Sequence, residues 1–207
     1  MSGQVLSAEP VYFADPNLQA AVEEQLGILW PTPREMLELT KLDADNKDIV
    51  DLTGIEYATN LARLNLINNE VNDISALAGL TNLTSLLLHR NQISDISALA
   101  NLTGLETLWL LGNQVGDISV LGGLTNLTSL LLSRNQVSDI SALTNLTNLK
   151  TLWLHGSQIS DISALAGLRN LTNLDLGENQ VSDISALTNL TNLKTLCLRG
   201  NQISDIS

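Results

Sequence analysis

An α/β solenoid is predicted for this chain: a curved parallel sheet on the concave side, short 3-10 or extended turns on the convex side, and a helical cap at the N-terminus. Three observations predict it. A 22-residue unit recurs from Leu39 to the last residue, with complete copies starting at Leu39, Leu61, Leu83, Leu105, Leu127, Leu149 and Leu171 and a partial one at Leu193. A period of roughly 20 to 50 residues marks a repeat architecture. Within each copy an L-x-L step at period two marks a short strand with one apolar face. Such a strand cannot bury that face alone, but stacked copies share a continuous core. The third observation is a pair of helix signals placed before the first copy.

Taken in order, residues 1–10 read as loose, 11–38 as the cap and 39–207 as the repeats. Asp15-Pro16 opens a helix, because Asp is a good N-cap and Pro suits the first helical position. Leu18, Ala21, Val22 and Leu26 share one face, and Gly27 is the stop. A second short helix starts at Thr32, where Pro33 follows and Glu35 completes a T-x-x-E capping box. A solenoid needs its first core layer covered by an atypical unit, which assigns 11–38 that role.

Inside the copies, leucine holds the first, fourth and sixth places, as in Leu83, Leu86 and Leu88. Asparagine holds the ninth (Asn69, Asn91, Asn113, Asn135, Asn179, Asn201), and Ser157 breaks that column. The asparagine amide is expected to bond backbone groups that the turn leaves orphaned. Loss of that bond at Ser157 is expected to cost roughly 1 kcal/mol. Then come Ile or Val at the eleventh place, Asp-Ile at the thirteenth and fourteenth, and Leu at the seventeenth. The motif L-x-x-L-x-L-x-x-N-x-I-x-D-I-S-x-L resembles a leucine-rich repeat, and its length with D-I-S-x-L is similar to the bacterial internalin-like class. The resemblance covers residues 39–207. It implies a helical cap of the internalin kind, a secreted or bacterial cell-surface location, and binding of a host or neighbouring-cell protein.

Composition narrows the function. At 207 residues one domain is expected. A net charge of −12 argues against binding a phosphate backbone, which needs a basic face. No apolar run approaches the ~18 residues of a membrane span, so no membrane insertion is expected. No charged start followed by an apolar run is visible, which reads as no secretion signal in this chain: an intracellular protein, or one that begins after processing. The partial last copy leaves an edge strand around Leu196–Leu198, an aggregation or dimerisation hazard that reads either as truncation or as association through this end, for instance as a homodimer. Cys197, the single cysteine, lies on that strand and excludes an intramolecular disulfide.

Candidate chemistry is sparse. Asp51, Asp73, Asp95, Asp117, Asp139, Asp161, Asp183 and Asp205 form a column of like charges about 5 Å apart. A calcium stripe is one reading of it. The stronger one has each Asp accept backbone N–H bonds and start a short helical turn on the convex side. N-L-T triplets at Asn82, Asn101, Asn126, Asn145, Asn170 and Asn189 fit the glycosylation pattern, but they arise from the repeat. Their density favours a host without that pathway. His89 and His155 lie three copies apart, about 14 Å, too far to share a metal or a catalytic dyad. No phosphate loop and no H-E-x-x-H occurs. Neither an enzyme nor a cofactor or metal site is expected.

Where the copies differ is informative, because the framework is nearly constant. The fifth column reads Asp43, Asn65, Leu87, Trp109, Leu131, Trp153, Asp175, Cys197. The seventh reads Asp45, Ile67, His89, Leu111, Ser133, His155, Gly177, Arg199. These positions point away from the leucine core. An exposed strip of Leu87, Trp109, Leu131 and Trp153 is therefore expected on the concave face, with Ile67, His89, Leu111 and His155 beside it. Arg90 and Arg134 flank it, and acids such as Asp175 stand towards the ends. Two of the three tryptophans are expected to be exposed, each offering roughly 150–250 Å² of contact. Trp and Arg are enriched at binding hot spots. The expected function is a non-enzymatic protein- or peptide-binding module. The alternatives are a structural or self-associating scaffold, natural or consensus-built, and an intracellular subunit that regulates an enzyme.

Overall fold

In the computed structural model, residues 9–204 are described. Eight three-residue strands form one parallel sheet in sequence order: β1 (Lys41–Asp43), β2 (Arg63–Asn65), β3 (Ser85–Leu87), β4 (Thr107–Trp109), β5 (Ser129–Leu131), β6 (Thr151–Trp153), β7 (Asn173–Asp175) and β8 (Thr195–Cys197). Each residue pairs with the one a full copy later, so Leu86 faces Leu108 and Leu87 faces Trp109. No slip is tolerated, because moving a strand by one residue would turn its leucines outwards. From Leu42 to Leu174 the fourth-position leucines are at most 1 % exposed. Removing such a side chain from water stabilises by roughly 1.5–3 kcal/mol. On β8, Leu196 is 44 % exposed.

The convex side is made of 3-10 turns such as Ser97–Leu99 and Ser163–Leu165. Each begins as the aspartate column predicts. The N–H of Ser97 donates to Asp95 Oδ1 at 2.8 Å, and the same bond recurs at Asp73, Asp117, Asp139, Asp161 and Asp183. Those serine N–H bonds hold Asp95, Asp117, Asp139, Asp161 and Asp183 below the usual carboxylate range, outweighing the repulsion that Asp117 exerts on Asp95 and Asp139. Asp205 lies outside the described residues.

The asparagine column is a buried ladder. Asn91 Oδ1 accepts from the Val71 N–H at 3.0 Å, and its Nδ2 donates to the carbonyls of Leu66 and Leu88. One side chain thus joins two copies. At Ser157 the ladder breaks: the serine Oγ is buried with no hydrogen-bond partner among the described residues, and Val137, whose N–H would meet the missing amide, has no asparagine acceptor. A second ladder was not foreseen. Asn60, Asn82, Asn126, Asn148, Asn170 and Asn192 close their copies by donating Nδ2 to a carbonyl of the preceding copy or, for Asn60, to the Leu37 carbonyl of the cap. Three of the N-L-T asparagines, Asn82, Asn126 and Asn170, are among them.

The cap is built around α1 (Pro16–Leu26), with Leu18, Ala21 and Val22 buried and Gly27 ending it at φ +68. Asp15 does more than cap it. Its Oδ1 accepts from Asn17 and Leu18, and its Oδ2 accepts from Val50 at 2.7 Å and Asp51 at 3.3 Å, stitching the cap to the first copy. Gly54 completes the joint at φ +105, where a Cβ would strike Phe13 Cδ1 at 2.6 Å. The capping box expected at Thr32 forms, with the Thr32 N–H donating to Glu35 Oε2 at 2.7 Å. It does not open an α-helix from Thr32. Only a four-residue 3-10 turn follows, Glu35–Glu38, because Leu39 must already be extended to enter β1. Of the segment 1–10 expected to be loose, residues 1–8 lie outside the described residues, as does Ser207.

Candidate functional site on the concave face

Strand alternation leaves the fifth-position side chains on the hollow of the arc. In register they run Leu87, Trp109, Leu131, Trp153, Asp175 across β3 to β7. Trp109 is fixed rather than free. Its Nε1–H donates to Ser129 Oγ at 3.1 Å, and the His89 ring lies 5.9 Å from its own, tilted by 43°. Burial, and then the neighbouring Arg90 charge, hold His89 below its ordinary value, which favours the uncharged ring.

Trp109, Leu131 and Trp153 face an open concavity of about 560 Å³. His89, Arg90, Trp109, Leu111, Leu131 and Trp153 line it, with the Ser129 and Thr151 side of the strands completing the wall. Its centre is apolar and its rim carries donors, which suits a large apolar side chain on a polar backbone. Leu87, Ile67, Arg134, His155 and Asp175 stand outside the lining. His155 belongs to a different group: its Nδ1 is 3.8 Å from Asp175 Oδ1 and its Nε2 3.4 Å from Glu178 Oε2. Glu178 also accepts from Arg199 at 3.0 Å.

The expected exposure needs correction. Trp153 is 41 % exposed and Trp109 half-buried, but Leu131 is only 8 % exposed. Its cross-strand neighbours on both sides are tryptophans, which shield the shorter side chain between them. Leu131 is the floor of the concavity and not part of its exposed strip. Trp30 is the most exposed of the three tryptophans, at 62 %. It sits just past the cap helix at φ +55, its N–H donating to Glu23 Oε1. Ser129 and Thr151 were missed, although both occupy a third column rich in Ser and Thr.

The eighth column has one conformation throughout. Asn46, Asn68, Arg90, Gly112, Arg134, Gly156, Glu178 and Gly200 all have positive φ. Only Asn and Gly adopt it readily, so two arginines and a glutamate there are unusual. Among the described residues, neither the Arg90 nor the Arg134 guanidinium has a hydrogen-bond or ion-pair partner.

The profile named Leucine Rich repeats (2 copies) matches residues 81–123, 125–167 and 169–207. The chain is similar to the crystal structure of an internalin, inlF, from Listeria monocytogenes, with TM-score 0.93 and 38 % identity over 97 % of this chain. It spans 62 % of that protein's length. It is likewise similar to internalin C2 of the same organism, with TM-score 0.94 and 38 % identity, covering 98 % of this chain and 93 % of the other. A leucine-rich repeat protein of Leptospira interrogans matches at TM-score 0.73 and 28 % identity, over 83 % of this chain and 45 % of that one. No curated protein sequence matches. The chain belongs to the leucine-rich repeat family, in its bacterial internalin-like class, and its fold is that of a protein-interaction repeat module.

Proposed function

We propose that this protein is a non-enzymatic binding module whose concave face, centred on Trp109 and Trp153, takes a protein or peptide ligand. The observation that carries the reading is the concavity between the two rings, apolar at its centre in a sheet whose other outward positions are largely polar. A soluble surface seldom keeps such a patch unused, and tryptophan is the residue most enriched at hot spots. The listerial relatives support the fold of a protein-interaction repeat module.

A random peptide library displayed on phage tests it, selected on the protein and counter-selected on a Trp109→Ala, Trp153→Ala variant. Wild-type-selective clones are expected, with affinity falling at least about thirtyfold per ring if each contributes the 2 kcal/mol of a hot spot. The thermal midpoint should move by only a few degrees, since both rings lie outside the leucine core. Clones that bind both proteins equally would refute the assignment.

A further inference from the structure

The concave face carries a local charge opposite to that of the chain. At the third, fifth, seventh and eighth positions, copies three to six hold Arg90 and Arg134 and no carboxylate. The corresponding positions hold Lys41, Asp43 and Asp45 in the first copy, Arg63 in the second, Asp175 and Glu178 in the seventh and Arg199 in the eighth, so carboxylates appear only outside the central copies. All this lies in a chain of net charge −12. The two arginines keep an unfavourable backbone, φ +56 and +57; Arg90 lines the concavity and Arg134 stands outside it, two copies further along the arc. Each is followed one copy later by glycine, and a Cβ on Gly112 or Gly156 would touch the Arg90 or Arg134 Cγ at 3.8 or 3.6 Å. Each stem therefore runs along a glycine with its guanidinium unengaged. Glu178 shows the contrast: it has the same backbone conformation and a following Gly200, but its carboxylate is already bonded to Arg199.

We propose that the ligand is an extended acidic segment that seats one large apolar side chain between Trp109 and Trp153 and offers carboxylates to Arg90 and Arg134. The proposal rests on the concave-face reading above and adds the ligand's charge to it. The arginine fork matches a carboxylate in planar, two-pronged geometry. Two strand spacings put the arginine backbones roughly 10 Å apart. A segment in polyproline II geometry returns to the same side every three residues, about 9 Å. Two acids three residues apart with an apolar residue between them therefore fit. Asp175 and Glu178, in the copy that follows the island, repel a ligand that strays along the arc in that direction, which limits its register.

Three tryptophan-free peptides test this by calorimetric titration of the whole chain: acetyl-Ser-Asp-Phe-Gly-Asp-Ser-amide and the analogues with both Asp replaced by Asn or by Lys. The acidic peptide should bind about tenfold tighter than the Lys analogue, the Asn analogue falling between. In an Arg90→Gln, Arg134→Gln variant the acidic and Asn peptides should agree within about twofold, and raised salt should weaken only the acidic one on the parent protein. A Lys peptide that binds as well as the acidic one, or a preference untouched in the arginine variant, overturns the proposal. So does binding by none of the three at millimolar concentration. Should the acidic and Asn peptides bind equally, and both be lost with Trp109→Ala, Trp153→Ala, the charge assignment fails while the concave-face reading survives.

Discussion

Copies five and seven share one frame and present opposite chemistry. Inward, Leu130 and Leu132 in one and Leu174 and Leu176 in the other are at most 1 % exposed. Outward, Leu131 and Arg134 stand where Asp175 and Glu178 stand two strands later. Asp175 and Glu178 lie against the imidazole of His155, and Glu178 also bonds Arg199, whereas Arg134 has no partner among the described residues. The backbone is indifferent, since Arg134 and Glu178 have φ +57 and +53. In this arc the inner columns fix the fold, and the outer columns vary without disturbing it. That division follows from a solenoid's energetics, where each copy contributes its own term and one with each neighbour.

If the division holds, damage to either inner column should cost the same. Leu130→Ala and Leu174→Ala should each destabilise by about 2–5 kcal/mol in urea titrations, because both leave a cavity in a packed layer. A large inequality would show that outer residues also set stability. Transplanting the face is the next test. Asp175→Leu with Glu178→Arg removes exposed or half-exposed ion pairs, each worth about 0–1 kcal/mol, and the Gly177 N–H bond to Asp175 Oδ1, worth about 1 kcal/mol. The urea midpoint should shift little, while affinity for the acidic peptide rises about threefold, less than one full charge pair in a buried site. A collapse of stability would mean that copy seven's polar group is structural.

Ser157→Asn sharpens the same contrast within the inner framework. An amide there would give the Val137 N–H its acceptor and remove a buried, unpartnered hydroxyl. A gain of about 1 kcal/mol is expected, or roughly 2–4 °C in thermal midpoint. No gain would mean that the site already satisfies its polar groups.

The smallest effect is expected on the convex side. Asp95, Asp117, Asp139, Asp161 and Asp183 are held below the usual carboxylate range by serine N–H bonds. A carboxylate depressed in the folded state stabilises above its unfolded value of about 3.9, and that contribution fades as pH falls through the folded value. Acid loss of the thermal midpoint below about pH 4 should therefore be shallower in an Asp117→Asn, Asp139→Asn variant than in the parent. Equal slopes would contradict that account.

The framework was legible because the repeat prints it eight times over: leucine, asparagine and aspartate each hold a column, and each does what its chemistry dictates. The concave strip was legible as a set of positions, because alternation forces them outwards. Its relief was not. Leu131 is buried by its neighbours in the next strands, which lie 22 residues away on each side and enter only with register. The arginine conformation left a readable trace, since a column mixing Asn, Gly and Arg marks a positive-φ turn. Trp30 gave no such trace. It follows the helix stop at Gly27, where no periodicity constrains a side chain, and its exposure depends on how the cap packs.

Nuclear magnetic resonance of the three indole N–H groups tests the central claim most directly. On titration with a peptide selected by the wild-type protein, the Trp109 and Trp153 signals should shift together and saturate, while Trp30 stays in place. A shift confined to Trp30, or saturable binding that moves neither concave indole, would place the ligand elsewhere.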